Sequence, residues 1–182
     1  MRLFIGISLT TTVIGELSAA SAWLKSREDG LRWAAPESWH ITLQFLGNTG
    51  PEAYTCLAAR LRDLRSPPVT IQLEALGFFD RAGIFSASVR LTPELLSLHQ
   101  RVTAATALCG YVPESRLYHP HITLARGKGV GRGPELRELK SRIHRQPTFT
   151  KFIAEEFILY ESLLGTTGSR YEIRNRFPLG SR

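Results

Sequence analysis

The sequence has few cysteines and no long apolar run, and both shortages exclude classes of protein. Cys56 and Cys109 are the only cysteines among 182 residues. Two isolated cysteines that belong to no Cys-x-x-Cys pair do not make a disulfide scaffold. Both fall on predicted buried helix faces, so a reducing cytoplasm is the simpler expectation. The absence of a long apolar run excludes a transmembrane helix, and we expect no membrane partner.

The N-terminus loosely imitates a signal peptide, because Arg2 precedes an apolar stretch and a small-residue cluster follows at 18–22. The periodicity favours another interpretation. Apolar residues first alternate as in a strand and then recur at helical spacing: Leu3, Ile5, Ile7 and Leu9, then Val13, Leu17, Ala20 and Leu24. We therefore interpret this segment as the first strand and helix of the fold.

Acidic residues are outnumbered, with 16 Asp and Glu against 23 Lys and Arg and a net charge of +7. This balance favours a polyanionic partner, with nucleic acid first. Arg outnumbers Lys by 19 to 4, and guanidinium groups suit phosphate. Arginine richness also fits a bias in genome composition with solvated side chains, so charge alone does not decide.

No linker or low-complexity segment divides the chain, and each half mixes strands with helices. Strands are predicted at 2–9, 31–34, 39–46, 69–76, 84–90, 121–125, 149–161 and 171–178, and helices at 12–26, 51–65, 93–109 and 134–145. Because strict βαβ alternation is missing, we expect a single α+β domain over 1–182, with mainly antiparallel sheets and helices outside.

Each half carries one copy of the same tetrapeptide, His-Ile-Thr-Leu, beginning at His40 and at His121. In an extended strand the His and Thr side chains share one face and the Ile and Leu side chains share the other. A single copy is weak evidence, but two copies in matching contexts predict a shared cleft that receives His40, Thr42, His121 and Thr123.

Two histidines and two threonines suit acid–base chemistry at phosphorus without a metal. One imidazole can accept a proton while the other donates one, and threonine hydroxyls can donate to non-bridging phosphate oxygens. Arg126 could add a bidentate guanidinium contact. Strict alternation, however, places Arg126 and Phe45 on the faces opposite His121 and His40, so either each strand ends or bulges there or these side chains act elsewhere.

Two other features suggest different chemistry. His119 and His121 could be metal ligands, but no acidic or cysteine cluster completes a coordination shell, so we expect no metal and no cofactor. The basic, glycine-rich segment 127–133 lacks the spacing of a Walker A or dinucleotide motif. It fits a mobile basic flap and a plain flexible loop equally well.

With these motifs assembled, the chain resembles the two-histidine phosphoesterases, and more narrowly the RNA 2′,3′-cyclic phosphodiesterases first described as 2′-5′ RNA ligases. The resemblance extends over nearly the whole chain, through residues 2–5, 32–33, 39–47, 119–126, 159–162, 168–172 and 176–179. It implies a bilobal fold with a central cleft between two antiparallel sheets.

The same resemblance implies roles for individual residues. His40 corresponds to the proton donor and His121 to the proton acceptor that activates water. Thr42, Thr123 and Arg126 correspond to phosphate-binding residues, and Phe45 to an aromatic residue that stacks on the base.

The expected activity is metal-independent hydrolysis of an RNA 2′,3′-cyclic phosphate to a 2′-phosphate, with 2′-5′ ligation as the possible reverse reaction. Two alternatives stay open: a phosphodiesterase acting on a small cyclic nucleotide or an ADP-ribose cyclic phosphate, and a non-catalytic module that binds RNA ends. We expect a cytoplasmic monomer.

Overall fold

The computed structural model describes residues 1–25, 30–127, 134–165 and 168–180. The described residues form four α-helices and ten strands. The helices are α1 (Thr11–Leu24), α2 (Pro51–Asp63), α3 (Pro93–Ala107) and α4 (Pro134–Arg142). The strands are β1 (Arg2–Ser8), β2 (Leu31–Trp33), β3 (His40–Asn48), β4 (Val69–Ile71), β5 (Leu73–Phe79), β6 (Ile84–Val89), β7 (His121–Gly127), β8 (Phe152–Ala154), β9 (Glu156–Gly165) and β10 (Gly168–Pro178).

The strands build two four-stranded sheets and one small two-stranded sheet. The first sheet has the order β10-β9-β1-β3, the second has the order β2-β7-β6-β5, and β4 pairs with β8. Every strand pair among the described residues is antiparallel. The predicted α+β class with antiparallel sheets is therefore confirmed.

The two large sheets repeat one local plan. In the first sheet β3 lies beside β1, which in turn lies beside β9; in the second, β7 lies beside β6, which lies beside β5. The two sheets approach each other at β3 and β7, the two strands that carry the His-Ile-Thr-Leu motifs. The side chains on the strand faces opposite the motif histidines enter the main hydrophobic core; they include Ile41, Leu43, Ile122 and Leu124.

Threonine caps fix the starts of two helices. The Thr10 hydroxyl accepts from the Val13 amide and starts α1, while the Thr92 hydroxyl accepts from the Leu95 amide and starts α3. Pro93 follows Thr92 at the first helical position, in agreement with the predicted start of this helix at residue 93. No helix in the described part of the chain is long and apolar enough to cross a membrane.

Two predicted strands are each divided in the structure. The predicted strand 69–76 separates into β4 and β5, and the predicted strand 149–161 begins only at Phe152 and separates into β8 and β9. The leading pieces β4 and β8 pair with each other in the small sheet. An alternating pattern indicates extended backbone but does not identify the partner strand, so the sequence did not reveal these divisions. Segment 128–133, which contains most of the predicted glycine-rich loop, lies outside the described residues.

The sequence pattern suggested two isolated cysteines, and this interpretation is wrong, because Cys56 and Cys109 form a disulfide. Cys56 lies on α2, and Cys109 lies just beyond the last residue of α3 rather than within it. The two helices pack together and bring the two Cα atoms within 5.8 Å. Residues 53 positions apart in the chain thus become neighbours through tertiary packing, which cysteine spacing alone does not show.

Candidate active site

Each motif strand presents its His and Thr side chains to one face and its aliphatic side chains to the other. In β3, His40 and Thr42 are partly exposed while Ile41 and Leu43 are buried. In β7, His121 and Thr123 are partly exposed while Ile122 and Leu124 are buried, so the two strands share one burial pattern over their first six residues. The alternation predicted for both motifs is present in the structure.

A β-bulge follows each motif and changes which face the next side chains occupy. The β1–β3 register passes from the Gly6–Thr42 pair directly to the Ile5–Gln44 pair, so Leu43 is the extra residue. The β6–β7 register passes from Ser86–Thr123 to Phe85–Ala125, so Leu124 is the extra residue. Because a bulge shifts the alternation by one position, Phe45 and Arg126 share the faces of their motif histidines.

The Phe45 ring has the position that the bulge implies. Its centroid lies 6.1 Å from that of Phe4, and the Phe4 centroid lies 4.6 Å from that of His40. Phe45 is 62% exposed, although it lies between buried neighbours on the strand. A large exposed aromatic face beside a histidine is suited to stacking against a flat ligand ring.

His40 is held by its Nδ1 atom. That nitrogen lies 2.8 Å from the Ser38 carbonyl oxygen, and because a carbonyl only accepts, Nδ1 carries the hydrogen. The Nε2 atom of neutral His40 is then an acceptor, and the Thr42 hydroxyl lies 3.1 Å from it. Phe4, Tyr160 and Tyr171 surround the imidazole with ring contacts between 4.6 and 6.0 Å.

His121 is held in the same way on the other strand. Its Nδ1 atom lies 2.8 Å from the carbonyl oxygen of His119, two residues earlier, as Ser38 is two residues before His40. The Phe79 ring packs on the imidazole at 4.7 Å. Both histidines therefore have their Nδ1 hydrogen fixed on backbone and their Nε2 atom available for proton transfer.

The environment of His40 strongly favours the neutral imidazole. Burial lowers the pKa of His40 to about 4, and the hydrogen bond to the Ser38 carbonyl opposes this shift only in part. The positive charge of His121 lowers the pKa of His40 further. The two imidazoles lie on β3 and β7, the strands at which the two large sheets approach each other.

Side chains from the second half of the chain also form hydrogen bonds with β3. The Tyr118 hydroxyl donates to the Thr42 carbonyl oxygen at 3.0 Å, and the Tyr118 ring stacks on His99 at 3.9 Å. The Thr106 hydroxyl donates to the buried Gln44 side chain at 2.8 Å. The sequence analysis did not identify Tyr118, although its place three residues before His121 was a usable signal.

Glycine at position 6 makes room for His40. A Cβ atom at Gly6 would lie 2.8 Å from the Ile41 carbonyl oxygen and 3.4 Å from His40 Cδ2. The His40 ring thus lies over β1 where that strand has no side chain. The sequence analysis did not identify Gly6 either, because its role depends on strand pairing.

A cavity of about 220 Å³ adjoins His40 and includes Trp39, Tyr160 and Tyr171 in its wall. A cavity of about 350 Å³ between Leu9 and Ala154 contains neither motif histidine, so cavity volume does not mark the site. Within the described ranges, no three His, Cys, Asp or Glu side chains are grouped as a metal site requires.

Two neighbouring strands that each carry a His-x-Thr motif, one on each antiparallel sheet, are the arrangement of a two-histidine phosphoesterase. The family model of the 2′-5′ RNA ligase superfamily matches residues 15–165, and the chain belongs to this superfamily of two-histidine phosphoesterases.

Curated relatives extend the similarity to almost the whole chain. The chain is 32% identical over 181 residues to an RNA 2′,3′-cyclic phosphodiesterase of Geobacillus stearothermophilus, and this match includes 97% of the chain but only 56% of the relative. It is 27% identical over 177 residues to the RNA 2′,3′-cyclic phosphodiesterase of Methanocaldococcus jannaschii, including 95% of the chain and 98% of the relative.

Solved structures agree with these sequence matches. The crystal structure of Escherichia coli LigT in complex with 3′-AMP superposes with a TM-score of 0.82 at 27% identity, over 99% of this chain and 98% of that one.

Proposed function

We propose that this protein hydrolyses the 2′,3′-cyclic phosphate at an RNA end and leaves a 2′-phosphate. The observation that carries the proposal is the pair of imidazoles, each fixed at Nδ1 by a backbone carbonyl and each on the face of a threonine two residues later. The relatives named RNA 2′,3′-cyclic phosphodiesterase support the substrate class, and the net charge of +7 suits RNA.

In the proposed reaction His121 Nε2 accepts a proton from water, and the water oxygen attacks phosphorus in line with the 3′ oxygen. The bond between phosphorus and the 3′ oxygen breaks, and His40 Nε2 donates a proton to that oxygen. Thr42, Thr123 and Arg126 bind the non-bridging oxygens, where negative charge accumulates. Phe45 stacks on the terminal base.

The donor role of His40 requires proton uptake with the substrate. With a pKa of about 4, His40 is neutral at pH 7 unless a ligand changes its environment. The negative charge of a bound phosphate favours the imidazolium form, because an opposite charge nearby raises the pKa of a histidine. The proposal therefore predicts that binding of a non-hydrolysable phosphate analogue takes up a proton at neutral pH.

The first experiment uses an RNA oligomer ending in a 2′,3′-cyclic phosphate, incubated in EDTA, with 2′-phosphate, 3′-phosphate and ligated products resolved. We expect a 2′-phosphate that is lost in His40→Ala and in His121→Ala. His144→Ala is the matched control, because His144 is exposed and lies outside both motif strands. Retained activity in a variant lacking both motif histidines would refute the proposal.

A second substrate separates the acid from the base. Replacing the 3′ oxygen by sulfur gives a leaving group that needs no proton. If His40 is the acid, His40→Ala regains activity on the thio substrate while His121→Ala stays inactive. Rescue of His121→Ala instead would exchange the two roles.

The same assay tests the alternative activities. Turnover of a small cyclic nucleotide or an ADP-ribose cyclic phosphate, but not of the oligomer, would indicate a small-molecule phosphodiesterase. Binding of the oligomer without any product would indicate a non-catalytic module. Joining of a 5′-hydroxyl RNA to the cyclic phosphate would reveal the reverse reaction through the same two histidines.

We also propose that residues 1–182 act as one bilobal domain, monomeric and in the cytoplasm. The Cys56–Cys109 disulfide is unusual for a reducing compartment, so the location needs its own test. Alkylating the free thiols at the moment of cell lysis, before the protein is unfolded, shows whether Cys56 and Cys109 are reduced in the cell. Analytical sedimentation gives the oligomeric state.

A further inference from the structure

Tyr171 is a polar side chain at the site that the proposed reaction does not use. It lies on β10, at the far side of the first sheet from β3. Its ring makes an edge contact with His40 at 5.1 Å and another with Phe4 at 4.9 Å. Its ring also forms part of the wall of the cavity beside His40. The Tyr171 hydroxyl is thus a hydrogen-bond donor on a ring that contacts the His40 imidazole directly.

Arg2 lies in the same cross-strand row as Tyr171, two strands away on β1. Tyr171 pairs with Ser162 of β9, and Leu3 pairs with Glu161, so the register continues from Ser162 to Arg2. Because β1 pairs with β9 without a bulge, Arg2 shares the face of Phe4, which contacts His40. Arg2 is exposed, and none of the described residues forms an ion pair or a side-chain hydrogen bond with its guanidinium.

Arg126, which lies on β7 of the second sheet, acts electrostatically on the same tyrosine. Burial raises the pKa of Tyr171, and the charges of Arg126 and Arg2 act in the opposite direction. Both guanidiniums are therefore within electrostatic range of one phenol that stays protonated at neutral pH. Two cations without acidic partners in the described part of the chain, together with an O–H donor, make a suitable environment for a phosphate.

We propose that Arg2 and Tyr171, beside Arg126, form a second phosphate subsite that binds the phosphodiester on the 5′ side of the terminal nucleotide. This inference rests on the proposed function, because it assumes a cyclic phosphate between His40 and His121. The next anion along an RNA end is that phosphodiester, and a nucleoside 2′,3′-cyclic phosphate with a free 5′-hydroxyl lacks it. The subsite makes the enzyme selective for RNA ends over the corresponding mononucleosides.

The test compares two small substrates that differ only in this group: a nucleoside 2′,3′-cyclic phosphate with a 5′-hydroxyl and the same compound with a 5′-phosphate. We expect wild-type kcat/KM to favour the 5′-phosphate by about tenfold, the effect of one or two charge-assisted contacts. Arg2→Gln and Tyr171→Phe should each reduce this ratio by roughly threefold or more. Tyr171→Phe keeps the ring beside His40 and removes only the donor.

Arg60→Gln is the matched charge control. Arg60 is exposed on α2, outside both motif strands, and its loss removes the same positive charge. We expect Arg60→Gln to keep the wild-type ratio, and we expect added salt to lower the ratio in wild type more than in Arg2→Gln.

The outcomes separate the subsite from the activity. A wild-type ratio near one, or an Arg2→Gln variant that loses activity equally on both substrates, would overturn the subsite while leaving the activity intact. Absence of turnover on either substrate and on the RNA oligomer would instead overturn the proposed function. In that event calorimetric binding of the same two compounds to wild type and Arg2→Gln gives the ratio without turnover.

Discussion

The substitution Gly6→Ala adds one methyl group where the backbone of β1 passes close to β3 and His40. The new Cβ would lie 2.8 Å from the Ile41 carbonyl oxygen, which belongs to the backbone, and 3.4 Å from His40 Cδ2. The carbonyl cannot rotate away as a side chain would, and the imidazole is held by Ser38 and packed by Phe4. The strands β1 and β3 must therefore move apart.

Two magnitudes follow from this geometry. Overpacking a closely packed site costs about 1–3 kcal/mol of stability. A catalytic group displaced by about 1 Å loses roughly 10²-fold in rate, so a shift of a few tenths of an ångström at His40 should cost about tenfold in kcat. The loss of activity should remain under conditions in which the variant is fully folded.

The assay combines urea unfolding with single-turnover cleavage of the cyclic-phosphate RNA. Gly15→Ala is the control, because a Cβ at Gly15 meets nothing within 4 Å and Gly15 lies within α1. Alanine there should stabilise the protein by about 0.5–1 kcal/mol and leave cleavage unchanged. A Gly6→Ala variant with wild-type stability and wild-type cleavage would refute the proposed close approach.

Three further predictions concern pH, stacking and the disulfide. Because the pKa of His40 is lowered to about 4 in the folded protein, the unfolded chain binds more protons than the folded chain below pH 6.5. The free energy of unfolding should therefore fall by up to about 3 kcal/mol as the pH drops toward 4. Urea titrations should show a less steep fall in His40→Phe. Phe45→Ala should raise KM for the oligomer about tenfold or more through lost stacking, with unchanged melting temperature since the ring is 62% exposed; unchanged KM would exclude stacking. Reducing Cys56–Cys109, which closes a 53-residue separation, should cost about 4 kcal/mol and lower the melting temperature by about 10 °C, whereas Cys56→Ser should not respond to reductant.

The sequence was sufficient for the features that depend on local periodicity. Alternation in the two motifs indicated which side chains enter the core, and both strands show that pattern. The predicted start of α3 at residue 93 is also correct, because the Thr92 cap and Pro93 that fix it lie within a few residues of each other. In each case the physical cause is contained in one short segment.

Features that depend on pairing between distant segments were beyond the sequence. The bulge at Leu43 exists only in relation to β1, and the bulge at Leu124 only in relation to β6, so alternation left Phe45 and Arg126 ambiguous. The disulfide depends on how α2 packs against α3. The lowered pKa of His40 depends on burial by aromatic rings from three other strands.

The paired bulges also set a rule for transplanting this chemistry into a designed scaffold. A designer who copies the motif onto a regular strand would preserve the acid, the base and both hydroxyls, yet would send Phe45 and Arg126 into the hydrophobic interior. The segment to copy is six residues long, from His40 to Phe45 or from His121 to Arg126, and it must include the extra residue of the bulge, Leu43 or Leu124. Deleting that single residue from either strand would move the side chains that follow it to the opposite face of the sheet.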